Sequence, residues 1–148
     1  MKKILSNKYL LLVIRIVTGF IFLYAGMEKI SDPEGFARTI DNYKLLPFSL
    51  TNIAALTLPW IEVTTSILLI FGIRVKENSF IISALLGIFI IAISISLLRG
   101  LNIDCGCFGT SSSTKIGFLK LFENVLLLLL GIQLIYFGGG SISLQKET

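Results

Sequence analysis

The sequence predicts an all-α fold: an integral membrane four-helix bundle, with a short interfacial amphipathic helix after the first span. Three observations carry this. The 148 residues are 54% hydrophobic and 15% charged, whereas a soluble domain of this size carries about a quarter charged residues. Mean hydropathy is +0.87. Four apolar runs, roughly Tyr9–Met27, Ile53–Ile73, Phe80–Leu98 and Ile116–Phe137, each approach the ~20 helical residues that cross about 30 Å of hydrocarbon. Four spans use up most of the chain, so residues 1–148 are expected to form one membrane domain, its Gly-rich tail (138–148) flexible. The net charge of +4 then bears on topology and contact with the lipid bilayer. Nucleic-acid binding is set aside.

The first run follows Met1-Lys2-Lys3 and Lys8, an arrangement that imitates a secretory signal peptide. Its length, the interruption at Arg15 and the ending Leu23-Tyr24-Ala25 all argue against cleavage and for an uncleaved first span. Arg15 reads either as snorkelling toward the inner headgroups or as functional. The sequence Ser31-Asp32-Pro33-Glu34 is then a helix-start signal. Asp32 can cap orphan amides, Pro33 fits the first helical position and Glu34 suits the positive end of the dipole. Phe36, Ile40 and Tyr43 recur at helical spacing beside Arg38, Asp41 and Lys44, which predicts the interfacial helix. Leu45-Leu46-Pro47 ends it.

Span two carries Pro59, which removes a helical hydrogen bond, and Glu62 near its middle. A carboxylate that deep reads either as a paired or neutralised bundle group or as a proton relay for thiol chemistry. The connection Arg74-Val75-Lys76-Glu77-Asn78 is short, so spans two and three should be antiparallel neighbours. In span three, Ser83, Ser94 and Ser96 are small enough for close helix contacts. Ser111-Ser112-Ser113-Thr114 can cap span four, where Lys120 and Glu123 share a face and should pair locally.

With the amino terminus inside, Lys2, Lys3, Lys8, Arg74, Lys76 and Lys146 lie within, and Lys29, Arg38, Lys44, Arg99 and Lys115 lie outside. Six against five is nearly a tie, so the orientation rests on the amino-terminal cluster. It puts the segment between spans three and four on the outer, oxidising side of a cytoplasmic (inner) membrane.

That segment holds Asp104-Cys105-Gly106-Cys107-Phe108-Gly109, with the only two cysteines of the chain. Residues i and i+2 of an extended chain span at most about 7 Å, and a disulfide prefers Cα atoms about 5.5–6 Å apart. A Cys105–Cys107 bridge therefore needs a bent backbone, which Gly106 permits. Such a bridge closes almost no loop and stabilises the fold little, which favours a pair cycling between dithiol and disulfide. A metal site needs three or four ligands, and the chain has no histidine and no third cysteine. Copper(I) on two thiolates, a dimeric site, or two inert apolar thiols are the competing readings.

Three pieces of sequence, in order, carry a resemblance: Phe22-Leu23-Tyr24-Ala25-Gly26-Met27-Glu28-Lys29 with Asp32-Pro33, then Tyr43-Lys44-Leu45-Leu46-Pro47, then Cys105-Gly106-Cys107-Phe108-Gly109. On these the chain resembles the DoxX-like membrane proteins, most closely the branch of the methylamine-utilisation protein MauE. The resemblance implies a four-helix membrane bundle tied to thiol redox chemistry in the cell envelope, alongside a thioredoxin-like partner. Members of the branch often carry a basic residue before the asparagine of span four, where this chain has Glu123 before Asn124.

The favoured function is a membrane thiol–disulfide redox component. Cys105 and Cys107 exchange electrons with an envelope thioredoxin-fold protein through a mixed disulfide. Lys115 favours a thiolate and Asp104 disfavours it, with Gly106 and Glu62 in support. No cofactor is evident. With two cysteines rather than four, electrons pass directly to a quinone or to a partner. The alternative is a non-enzymatic transporter subunit or assembly scaffold, in which Glu62 and Arg15 are substrate or bundle contacts.

Overall fold

A computed structural model describes residues 7–100 and 118–138. Among the described residues five helices run in order: α1 (Lys8–Ser31), α2 (Pro33–Asn42), α3 (Phe48–Phe71), α4 (Val75–Leu98) and α5 (Phe118–Phe137). All but α2 are long and apolar enough to cross a membrane. Around the bundle α1 packs on α3, α3 on α4, α4 on α5 and α5 back on α1, while α2 lies against α1 and α3. The helices are those expected, but three of the four long ones start or end outside the apolar runs.

The cause is polar residues that helices absorb. α1 continues four residues past Met27, so Lys29 belongs to its last turn rather than to an outer loop. α3 begins at Phe48 instead of Ile53, with Thr51 Oγ1 donating back to the Pro47 carbonyl. The expected connection Arg74–Asn78 shrinks to a turn before Val75. Gly72 takes the left-handed conformation (φ 73°), and the amide of Ile73 donates to the Leu68 carbonyl at 2.9 Å. This closes α3 with the left-handed cap that glycine adopts most readily. The Asn78 amide then folds back onto the carbonyls of Ile73 and Arg74. An apparent loop residue thereby becomes a brace for the α3–α4 turn.

Asp32 joins α1 to α2. Its amide donates to the Glu28 carbonyl, ending α1, and its carboxylate accepts from the Gly35 amide at 2.9 Å, starting α2. Pro33 sits at the first position and Glu34 in the first turn, as the sequence predicts.

Leu11, Ile14, Phe22, Leu69, Val75, Ile82, Leu86, Leu127 and Leu134 form one buried apolar cluster drawn from all four long helices. Phe20, Tyr24, Trp60, Ile88, Ile91, Phe122 and other large apolar side chains face outward, as lipid-facing surfaces do. Lipid gives no hydrophobic drive between helices, so close packing of small residues holds them together. α1 meets α3 at Gly19 and Gly26: a Cβ on Gly19 would fall 2.5 Å from Ile70 Cγ1, and one on Gly26 2.7 Å from Val63 Cγ2. α4 meets α5 in the same way, a Cβ on Gly131 lying 2.5 Å from Ser83 Oγ. The expected close contact at Ser83 is met there.

Candidate functional site

One face of α1 carries Leu11, Arg15, Thr18, Gly19, Phe22, Ala25, Gly26 and Lys29, all buried at helical spacing. Lys29 is therefore the last residue of the stripe that packs into the bundle. Its ammonium reaches Glu62 of α3 and donates to Oε1 at 2.7 Å and to Oε2 at 2.8 Å. The two side chains are 0% and 1% exposed. This is the paired form of Glu62 that the sequence left open against a relay, and its partner is the residue the charge tally had put in a loop.

Neighbouring elements fix the pair. Gly26, one turn before Lys29, brings the helices so close that a Cβ there would lie 3.2 Å from the Pro59 carbonyl and 3.3 Å from Glu62 Cβ. Pro59 lacks the amide that would continue the ladder. Downstream, the carbonyl of Glu62 accepts from the hydroxyls of Thr65 and Ser66, both buried. Two rings complete the enclosure: Lys29 Nζ lies 5.1 Å from the centroid of Phe36 on α2 and 5.2 Å from that of Phe89 on α4. Such cation–π contacts contribute more when water is excluded. Four helices thus meet at one ammonium. Removing either partner would strand a buried charge, at about 3–5 kcal/mol.

Arg15 is also buried, 4% exposed, inside the bundle rather than extended along its surface toward a headgroup. Lys120 and Glu123 pair at 2.8 Å, as their spacing predicts, and Asn124 donates to the Lys120 carbonyl.

Beside the charge pair lies an apolar cavity of about 420 Å³ between α2, α3 and α4. Its walls include Tyr43, Leu46, Ala54, Leu58, Phe89 and Ala92. Phe89 borders both the cavity and Lys29. Tyr43 and Ile93 form a second buried cluster, with Phe89, Ala92, Leu97 and Leu121 packed against it. The last turns of α4 and the first turn of α5 are therefore at the α2 end of the bundle. Cys105, Gly106, Cys107, Asp104 and Lys115 lie outside the described residues, in the segment that joins those two ends.

Sequence reasoning missed Lys29, Phe36 and Phe89. The signal for Lys29 was the stripe itself, since Gly19, Phe22 and Gly26 repeat at three and four residues and Lys29 is the next step. The two aromatic partners come from other helices, and one helix's periodicity does not reveal them.

A small polytopic membrane bundle, with a buried lysine–glutamate pair near the end from which a cysteine-bearing segment departs, is the class that this fold and site define. The chain belongs to the family described as methylamine utilisation protein MauE, which matches residues 7–137. It is 29% identical over 133 residues to methylamine utilization protein MauE of Paracoccus denitrificans, covering 89% of this chain and 72% of that one. It is 31% identical over 115 residues to the Methylorubrum extorquens protein of the same name, covering 77% and 59%. The Methylophilus methylotrophus protein of that name is 29% identical over 126 residues, with coverage of 83% and 66%. The chain thus spans about 59% of the Methylorubrum relative's length and 72% of the Paracoccus one's. No solved structure matches it.

Proposed function

We propose that this protein is a membrane thiol–disulfide redox component, acting through Cys105 and Cys107 on a thioredoxin-fold partner in the cell envelope. The observation that carries the reading is the placement of the only two cysteines, one residue apart, between two membrane-spanning helices of a MauE-family chain. A thiolate of the pair attacks the partner's disulfide, a mixed disulfide forms, and the second cysteine releases it. The pair leaves oxidised and the partner leaves reduced, or the reverse when the flow runs the other way.

The relatives' name ties them to methylamine utilization. We place this chain's contribution in protein maturation rather than in chemistry on an amine, because paired thiols react with protein thiols and disulfides. Lys29–Glu62 has a supporting part here: it locks α1 to α3 near the end where the cysteine segment is anchored. The orientation that suits this function puts that segment on the outer side of the inner membrane.

Trapping tests it. Either Cys105→Ser or Cys107→Ser, but not both equally, should accumulate a reductant-sensitive adduct with an envelope thioredoxin-fold protein, since the resolving thiol is gone. A double variant with full function, and no adduct from either single variant, would overturn the reading and favour a transporter subunit or scaffold.

A further inference from the structure

A serine or threonine inside a membrane helix usually donates its hydroxyl back to the carbonyl one turn earlier, which keeps it satisfied within its own helix. Thr51, Thr57, Thr64, Thr65, Ser66 and Ser94 all do so. Thr18 on α1 and Ser79 and Ser83 on α4 do not. Their hydroxyls are buried without a hydrogen-bond partner, in residues that are 1%, 1% and 8% exposed. Such groups are costly, and native structures satisfy nearly all of them. We propose that these three hydroxyls bind internal water, in a polar layer to which all four long helices contribute. The site stands independently of the thiol reading.

Helix register puts the three groups together. α1 and α4 both run antiparallel to α3 and stand diagonally across the bundle, where Lys29 of α1 reaches Phe89 of α4. Eleven residues back from Lys29 is Thr18, and ten back from Phe89 is Ser79, so the two are level, with Ser83 one turn on. Their apolar neighbours Ile14 and Phe22 on α1 and Ile82 and Leu86 on α4 belong to one buried cluster. α3 brings Ser66 to the same level, since a Cβ on Gly19 would lie 3.3 Å from the Ser66 carbonyl. α5 brings Gly131, which faces Ser83.

The layer is roomy where the other crossings are tight. A Cβ on Gly19 or Gly26 would meet three atoms of α3 within 3.3 Å. One on Gly131 would meet the Ser83 hydroxyl, and then nothing of α4 nearer than Ser83 Cβ at 3.8 Å and the Ser79 carbonyl at 4.0 Å. The α4–α5 crossing is therefore open on the side toward which Ser83 Oγ points. A buried water needs about two to four polar partners, which Thr18, Ser79 and Ser83 supply from opposite corners of the bundle. The Ser66 hydroxyl donates to the Glu62 carbonyl and keeps an oxygen lone pair to accept a further bond. Neutral hydroxyls suit water, whereas a hard cation asks for about six oxygen ligands.

The test uses the full chain in lipid nanodiscs with carbon-13-labelled serine and threonine. In solid-state NMR, magnetisation from water should reach the Thr18 and Ser83 side chains well ahead of Thr64, which faces outward on α3 and is bonded within its own helix. Thr18→Val and Ser83→Ala each remove a hydroxyl with little change in volume. Each should raise the unfolding constant by about threefold to tenfold, because the water's remaining partners are left unsatisfied. The double variant should lose less than the two effects combined, since both groups hold the same water. Dry hydroxyls predict the opposite sign, because replacing an unsatisfied polar group by an apolar one is neutral or stabilising. Absence of transfer from water to both side chains would overturn the proposal, and so would an unfolding constant that stays level or falls in both variants.

Discussion

Lys29 and Glu62 are 33 residues apart in sequence, yet the ammonium of one donates to both carboxylate oxygens of the other. Two full charges are cancelled within the membrane-spanning part of the bundle, between helices that also meet in close van der Waals contact. Charged groups at that depth normally pair or carry function. Here the pair also joins the helices that Gly19 and Gly26 bring together.

The first prediction is a double-mutant cycle on this pair. Lys29→Met and Glu62→Gln should each destabilise the bundle by about 3–5 kcal/mol, because each leaves one buried charge uncompensated. The double variant Lys29→Met/Glu62→Gln should lose less than the sum of the two. Thermal unfolding in detergent, followed by circular dichroism, measures this; additive losses would mean that the two groups do not sense each other.

Gly26 gives the second. Gly26→Ala places a methyl 2.7 Å from Val63 Cγ2 and 3.2 Å from the Pro59 carbonyl, and should cost about 1–3 kcal/mol by overpacking. Val63→Ala in the same chain removes the nearer clash and should restore part of the loss, with the backbone contact accounting for the remainder. The same thermal measurement applies.

A third prediction concerns the α3–α4 turn. Asn78→Ala removes the amide that donates to the carbonyls of Ile73 and Arg74. With those carbonyls part-buried, the loss should be about 1–3 kcal/mol, and hydrogen exchange should rise first at the amides around Gly72. Uniform exchange across the bundle would show that the turn opens only with global unfolding.

Topology is the fourth. An impermeant maleimide applied to spheroplasts after mild reduction should label Cys105 and Cys107. Labelling only after lysis would place the segment in the cytoplasm. Lys29, buried in α1, has no vote in the charge tally, so the outer count falls from the five residues named above to Arg38, Lys44, Arg99 and Lys115.

The fold was legible because composition alone sets bilayer residence, and four apolar runs set four helices. The α2 signal was equally direct, since Asp32, Pro33 and Glu34 act locally. Boundaries were harder to read. Asn78 and Thr51 look like loop residues, but each satisfies a carbonyl within its own neighbourhood, so the helix absorbs it. Glu62 was visible as a buried carboxylate with two readings. Its partner was not singled out, because a lysine at the end of an apolar run reads as a flank until the stripe ending in Lys29 is followed through.

Asp32 ends one helix and starts the next, and it is the single residue between them. Lys29 lies three positions before it and Phe36 four after, one on each arm of the corner. The two arms therefore behave as a bent lever with the charge at its elbow. A load placed on α2, whether from a protein docked on it or from the lipid surface, bears on the ammonium of Lys29 through Phe36 as well as on α3, against which α2 packs.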